Sequence, residues 1–539
     1  FNYFGNNETT ISYKGVHLFG NITGLYIIRQ QIKKCISVGR KLLRLIMSHS
    51  TIRNSDDPLH FVLFPLMAQG HMIPMVDIGR LLAQHGIIVT VVTTPRNAAR
   101  FAAVVDRAVE SGLRIQVVVL RFPSEEVGLP DGCENFDTLP SLDMSLALLN
   151  GASLLQQPAE KLFEELSPPP RCIISDVCLP WTSDIAIKHG IPRISFMGCG
   201  CFFMLCLHNM AISGIFSSAT SESEYFTVPG LPDHIELTKG QMMSPIQNMD
   251  EFNVKIGAAE KEAYGMIINS FEELEPEYAR EYKKARGDKI WCVGPASSCN
   301  KNDIDKAQRG NSASGDTHQC IKWLDSKEIG SVVYVCLGSM NNLIFRQLVE
   351  LGLALEELNR PFIWVMRNGG ESTELGKWIT SSRFEERVRG RGMVIQGWAP
   401  QVSILSHSAV GGFVTHCGWN STLEAISAGV PMVTWPLFAD QFGNEKLVVQ
   451  VLKLGVSVGV KVSQKWGLEE QNGVLVSKED VIKAVECLME EGEEKEKRKE
   501  RAKTFSEMAL KATELGGSSY RNMEALIQDI AAQTSRKGT

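Results

Sequence analysis

The chain is expected to fold as two doubly wound α/β domains facing each other across a cleft. Three observations carry this expectation. From His60 onward, short Val/Ile-rich runs alternate with helical patterns, the mark of βαβ units and parallel sheets. Between Gly294 and Gln319 the alternation stops in a stretch rich in Asn, Ser, Asp, Lys and Gly, and then it restarts. The length, 539 residues, is more than one domain at roughly 100–200 residues each. No internal period of the kind that builds solenoids is visible.

The first strand is His60-Phe-Val-Leu-Phe-Pro65, apolar enough to be buried on both faces. A loop, Met67–Met72, leads to Pro74, a residue suited to a first helical turn. Helix continues through Leu82 to His85, and Gly86 closes it. Ile87–Thr93 is the next strand. Strand Cys172–Ser175, a helix near Pro180–His189 and strand Arg193–Phe196 follow, and Tyr264–Asn269 and Ile290–Val293 end this half. After the polar stretch, Ser331–Leu337 is a buried strand, followed by Gly338-Ser339 and a helix over Phe345–Leu358. Pro361–Met366, Met393–Gln396, Gly412–Thr415 and Pro431–Trp435 supply further strands. The Glu/Lys/Arg-dense tail, Glu479–Lys511, reads as a solvated helical face.

Composition narrows the class of function. At 44% hydrophobic and 22% charged the chain is neither disordered, collagen-like nor a disulfide scaffold. A net charge of −6 argues against nucleic acid and anionic membrane as partners. The charge is uneven. Residues 1–46 carry seven basic residues against Glu8 alone, which leaves the remainder at −12. That stretch holds no methionine, and the first is Met47. Residues 1–46 are therefore expected to be a non-native or disordered extension, the other readings being a transit peptide or a genuine extension. The 13 cysteines are odd in number with no C-x-x-C pair, so buried free thiols in a reducing, cytoplasmic setting are expected. Asn7 and Asn21 match the glycosylation acceptor pattern, but no secretory signal accompanies them. The longest apolar run, Ile194–Leu207, is short of the roughly 20 residues that span a bilayer, so no stable membrane insertion is expected.

The sharpest local signal is Val410-Gly-Gly-Phe-Val-Thr-His-Cys-Gly-Trp-Asn-Ser-Thr-Leu-Glu-Ala-Ile-Ser-Ala-Gly429. A strand ends at His416, Cys417-Gly418-Trp419 turn, and Asn420 or Ser421 is expected to cap a helix that Gly429 closes. A helix N-terminus behind a glycine turn offers free N–H groups and a positive dipole end, and so suits a phosphate or diphosphate. Trp398-Ala-Pro-Gln401 brings an aromatic face able to stack on a base. Glu424 lies one turn beyond Asn420–Ser421, in reach of ribose hydroxyls. Asp440-Gln441 follows the next strand, where open α/β sheets bind their ligands.

The segment Trp398–Gln441 resembles the signature box of plant UDP-dependent glycosyltransferases that act on small molecules, and the resemblance extends over residues 58–535. It implies a GT-B fold. An acceptor domain is expected over 47–293, a linker over 294–319 and a UDP-sugar domain over 320–515. A final helix over 516–539 is expected to pack back on the first domain. By the resemblance Trp398 stacks on uracil, with the backbone near Ala399 and Gln401 completing base recognition. Glu424 binds ribose, and Ser339, His416, Gly418, Asn420 and Ser421 hold the diphosphate. Trp419, Asp440 and Gln441 touch the sugar, Gln441 favouring UDP-glucose. The partners implied are UDP-glucose and a small-molecule hydroxyl acceptor, with no cofactor, no metal and a monomeric chain.

His71, in Pro65-Leu-Met-Ala-Gln-Gly-His71, sits at the carboxyl end of the first strand and matches the family's catalytic base. Asp176, at the end of Cys172–Ser175, matches its supporting acid. A neutral imidazole accepts the hydroxyl proton while a carboxylate on its other nitrogen fixes the tautomer. The resemblance implies displacement with inversion at the anomeric carbon. Asp303-Ile-Asp305 is a D-x-D, but it lies in the polar stretch and is not taken as a metal site. Apolar segments near the cleft nominate Gly70, Leu129, Met197, Phe202 and Phe203 as acceptor contacts. Ala68–Asp77, Phe226–Gly230 and Lys465-Trp-Gly467 suggest the subgroup acting on flavonols, cytokinins, brassinosteroids and triterpenoids. Two rival readings remain. A dinucleotide enzyme would need a G-x-G-x-x-G after an opening strand, where Met67-Ala-Gln-Gly stands instead. A non-catalytic UDP-sugar binder would keep the box and lose His71 and Asp176.

Overall fold

The computed structural model describes residues 58–537 apart from 219–220, 243, 312–316, 342 and 368–371. The expectations for residues 1–46 lie outside the described residues. Both large sheets belong to one compact unit, Leu59–Thr539.

In the first half, β1 (His60–Phe64), β2 (Ile88–Thr93), β3 (Ile115–Val119), β4 (Cys172–Asp176) and β5 (Arg193–Met197) are followed by a small antiparallel hairpin, β6 (Tyr225–Thr227) and β7 (Glu236–Thr238). β8 (Gly265–Ile268) and β9 (Ile290–Cys292) complete a parallel sheet of order β3-β2-β1-β4-β5-β8-β9. The second half contributes β10 (Val332–Cys336), β11 (Phe362–Met366), β12 (Gly392–Gln396), β13 (Val410–Thr415), β14 (Met432–Thr434) and β15 (Gly455–Ser457). They form a second parallel sheet, β12-β11-β10-β13-β14-β15. Central strands such as β1 and β4 are buried along their whole length because helices cover both faces. The strands not anticipated are those that lack this signal: β3 is half-exposed at an edge, and β6, β7 and β15 are three residues each.

Six helices matter for the site: α1 (Gln69–Gln84), α2 (Cys201–Ser213), α3 (Trp419–Ala428), α4 (Gln441–Lys446), α5 (Glu493–Thr513) and α6 (Ser518–Lys537). The charged α5 buries Ala502, Ala509 and Ala512 and packs on α3. Helix α6 returns to the first half. Its Met523, Leu526, Ile527 and Ile530 join the core cluster of Phe61, Leu63, Ile174 and Ile194, and Lys289 pairs with Asp529 at 2.6 Å.

The polar stretch after Gly294 is no loose tether where it is described. Its short helix Asp303–Ala307 and its flanks are fastened to the first half by buried ionic contacts. Arg80, on α1, donates to Asn300 Oδ1 at 2.6 Å and to Asp305 Oδ2 at 2.7 Å, and Arg107 donates to Asp305 Oδ1 at 2.8 Å. Composition suggested a linker because those side chains are polar, but they pair with Arg80 on α1 and with Arg107 on the helix Ala102–Glu110. Breaking one side of such a buried pair typically costs about 3–5 kcal/mol.

Candidate active site

The strand order determines where chemistry can sit. In an open α/β sheet a crevice forms at the carboxyl ends of the two strands where the order reverses. That point is between β1 and β4 in the first sheet and between β10 and β13 in the second. Gly70 and His71 after β1, Gly338 and Ser339 after β10, and His416–Ser421 after β13 open on one cavity of about 500 Å3, though Cys417 is set behind its wall. β4 ends in Asp176, directly behind His71.

Helix α1 begins at Gln69, so His71 stands in its first turn and not in a loop ahead of Pro74. Pro74 is accommodated because only one bond is missing: its absent N–H leaves the Gly70 carbonyl free. That carbonyl instead accepts Asn420 Nδ2 from α3 at 2.6 Å, so the proline helps join the two halves. His71 Nδ1 lies 2.6 Å from Asp176 Oδ2; the imidazole is 28% exposed and the carboxylate wholly buried. Asp176 Oδ1 accepts the Cys178 N–H at 2.9 Å, which fixes the carboxylate. Burial opposes charge on His71, but the Asp176 charge and hydrogen bond, helped by Asp440, outweigh it and raise the imidazole above its ordinary value. With the proton assigned to Nδ1, Nε2 is the nitrogen left to accept one from the cavity.

Across the cavity His416 is packed between two glycines. A Cβ on Gly338 (φ +84°) or Gly418 would stand 2.5 or 2.4 Å from its Nε2. Burial pushes His416 down to about 4, so the ring is neutral. It can donate an N–H but carries no positive charge near pH 7. Its Nδ1 has no partner among the described residues. Cys417 takes the left-handed conformation (φ +64°) and Gly418 caps α3. Neither Asn420 nor Ser421 is the cap: both fall inside the first turn, where the helix N–H groups are free for an anion.

Gln401 Nε2 donates to Glu424 Oε2 at 2.8 Å and to Ser421 Oγ at 3.0 Å, tying the base-proximal corner to α3. Trp419 is an anchor between the halves, its buried indole donating to the Asn269 carbonyl at 2.7 Å and packing on Gly200. Burial raises the Asp440 carboxyl although Asn444 Nδ2 donates to it at 2.7 Å. Gln441 Oε1 accepts the Leu437 and Phe438 N–H groups at 2.8 and 3.1 Å. Every box residue nominated from the sequence, Ser339, Trp398, Ala399, Gln401, His416, Gly418, Trp419, Asn420, Ser421, Glu424, Asp440 and Gln441, lines the cavity.

A family model described as UDP-glucoronosyl and UDP-glucosyl transferase matches residues 311–500. UDP-glycosyltransferase 73C12 of Barbarea vulgaris is 55% identical over 487 residues, 89% of this chain and 98% of that protein. The chain belongs to the plant UDP-glycosyltransferases. UDP-glycosyltransferase 73C6 of Arabidopsis thaliana is 54% identical, covering 88% of this chain and 97% of that one. Among solved structures, Glycyrrhiza uralensis UGT73P12, complexed with glycyrrhetinic acid 3-O-monoglucuronide, superposes with a TM-score of 0.81 at 38% identity, covering 89% of this chain and 97% of that one. Arabidopsis thaliana UGT89C1 complexed with UDP-L-rhamnose gives 0.68 at 29% identity, over 88% and 100%. This glycosyltransferase therefore has the GT-B fold, two facing Rossmann-like domains.

The acceptor residues fare differently. Gly70 lines the glycosyltransferase cavity, but Leu129, Met197, Phe202 and Phe203 do not. The first six residues of α2, Cys201–Cys206, are all apolar and all buried, so the sequence there marks no face as a wall. Glu275 caps its first turn by accepting the Cys201 and Phe202 N–H groups at 2.9 and 2.7 Å. That sets Phe202 against Tyr278 and Phe203 against Gly443 on α4, while Leu129 is core. Met197, half-buried at the end of β5, packs against the same core. The cavity also holds Gln69, Asp137, Arg309, Asn311 and Arg367, which the sequence reading missed. Two of these stand in the polar stretch, where nothing in the residue pattern separates a wall residue from a solvated one. Asp305 of the D-x-D is paired with Arg80 and Arg107, and Asp303 is fully exposed. Among the described residues no group of three or more His, Cys, Asp and Glu is placed to hold a metal ion, and no helix is long and apolar enough to cross a membrane.

Proposed function

We propose that this chain is an inverting O-glucosyltransferase that moves glucose from UDP-glucose to a hydroxyl of a small lipophilic plant metabolite. The observation that carries the reading is the His71–Asp176 pair, 2.6 Å apart, opening on the same cavity as the UDP-sugar box. His71 Nε2 takes the acceptor proton as its oxygen attacks the anomeric carbon. The bond from that carbon to the diphosphate breaks, and UDP leaves with the electron pair. Attack opposite the leaving group turns an α-linked donor into a β-glucoside. The α3 N-terminus, Ser339 and the neutral His416 meet the charge left on the diphosphate. The reading needs no metal and no cofactor.

Glucose is favoured through Gln441, on the family correlation. Flavonoids, triterpenoids, steroids and cytokinins are the acceptor classes, and the glycyrrhetinic acid glucuronide held by the Glycyrrhiza uralensis relative supports a polycyclic one. The described cysteines are all free, which supports the reducing cytoplasm as the compartment. The test is incubation with UDP-glucose and a panel of flavonols, triterpenoids and zeatin. Mass spectrometry should find an added hexose, and the anomeric coupling in the proton spectrum should be β. UDP-glucose bound but left intact across the panel would overturn the reading in favour of a binder.

A further inference from the structure

Arg309 lies buried between carboxylates from opposite halves of the molecule. Its Nε donates to Asp77 Oδ2 at 2.7 Å, and its Nη1 pairs with Glu424 Oε1. Asp77 is on α1, six residues after His71, and Glu424 is on α3, four residues after Asn420. The next two residues also touch the cavity wall. Trp398 Nε1 donates to the Arg309 carbonyl at 3.3 Å, and Gly310 (φ +92°) packs so tightly on Trp398 that a Cβ would stand 2.4 Å from its Cζ2. Asn311 Oδ1 accepts Gln69 Nε2 at 2.9 Å. The segment is held from behind by Asn300 and Asp305 on Arg80.

We propose that Arg309 is a donor-positioning residue, which holds Glu424 for the ribose and fixes α3, the donor side, against α1, the base side. The proposal rests on the reading of Glu424 as the ribose ligand. Glu424 is gripped twice, Oε1 by Arg309 and Oε2 by Gln401. A carboxylate has about four lone-pair sites, so two remain for a vicinal diol in a fixed orientation. Asp77 is itself held by Asn300 Nδ2 at 3.1 Å and Cys299 Sγ at 3.2 Å, so the bridge ends on a fixed point of α1. The planar guanidinium fork spans two carboxylates in set directions, whereas an ammonium is a point charge that cannot.

Arg309→Met removes the bridge and Arg309→Lys keeps the charge without the fork. Because Arg309→Met strands Asp77, the double variant Asp77→Asn/Arg309→Met is made beside it, which removes the Asp77 charge and leaves Glu424 held by Gln401 alone. In each, UDP affinity is read by calorimetry, and kcat and KM are read for donor and acceptor with the wild type alongside. Loss of a charged hydrogen bond and of register should weaken UDP and raise the donor KM by about 10–100-fold. The acceptor KM should stay near wild type and Arg309→Lys should rescue little. UDP affinity within about twofold of wild type in a folded single or double variant overturns the proposal, since half a kcal/mol is below the value of such a bond. Tighter UDP overturns it too, and makes residues 309–311 a competitor for the site. A wild type that binds UDP but transfers nothing from UDP-glucose fails the functional reading alone, because the UDP isotherms still report on Arg309.

Discussion

The two halves of the molecule share a plan and differ in chemistry. Both sheets are parallel, both reverse strand order beside their first strand, and both turn that reversal into one wall of the cavity. On the first wall an imidazole is paired with a buried carboxylate and raised above its ordinary value. On the second an imidazole is walled in by Gly338 and Gly418 and pushed down to about 4. Topology thus fixes where a group sits, and the charges packed against it decide whether it moves a proton or only offers a hydrogen bond. Chemistry at the first wall should be sensitive to charge, and binding at the second to shape.

The largest break should come from removing His71, the proposed base. His71→Ala is expected to lower transfer to a poorly acidic alcohol by about 10²–10⁴-fold, the usual worth of general-base help. UDP affinity by calorimetry should persist. Near-normal turnover would sink the assignment.

Next comes Asp176→Asn, expected to cost on the order of 10²-fold in kcat. It also carries a sign. With His71 as the proposed base its neutral form does the work, so activity should rise with pH through the His71 value, which Asp176 holds up. Removing that charge should move the acid limb of the kcat profile to lower pH while the plateau falls. A limb that stays in place would mean that Asp176 is not what sets the base.

The same contrast explains what could be read before any coordinates. The second wall is a contiguous stretch, Trp398–Gln441, in which strand, glycine turn and helix follow each other, so local pattern sufficed. The first wall joins His71 to Asp176 across 105 positions, and only strand ends plus family likeness brought them together. Arg309 and Asn311 were invisible because polar residues in a polar stretch look alike whether they face water or a buried carboxylate. Phe202 and Phe203 misled for the opposite reason: in the first turns of a helix where every residue from Cys201 to Cys206 is buried, apolar residues do not say which neighbour they meet.

Shape should be tested on the second wall. Gly338→Ala adds a methyl 2.5 Å from His416 Nε2 at a left-handed backbone position, and Gly418→Ala adds one at 2.4 Å without that strain. Overpacking costs about 1–3 kcal/mol, which predicts a 10–100-fold rise in the UDP-glucose KM. kcat at saturating donor should change less than KM. Equal losses in kcat with KM untouched would mean that the methyl disturbs the base side instead.

The smallest expected effect is a flat line. Were His416 an ordinary imidazole, protonation below pH 6.5 would strengthen its hold on a diphosphate, and affinity would climb by up to about a decade per pH unit as pH fell. Pushed down to about 4 by burial, it stays neutral across the working range and contributes no such slope. UDP-glucose is the right probe, since its diphosphate is esterified at both ends and does not itself titrate there. His71→Ala is the right background, since it removes the other imidazole on the cavity and blocks turnover. Calorimetry from pH 5.5 to 8 should then give one affinity within about twofold. Asp440, raised by burial on the same cavity, is the other group that could titrate, so the series is repeated with Asp440→Asn. A slope approaching a decade per unit that persists there would show that His416 titrates in contact with the donor, and the division between a proton-moving wall and a hydrogen-bonding wall would fail.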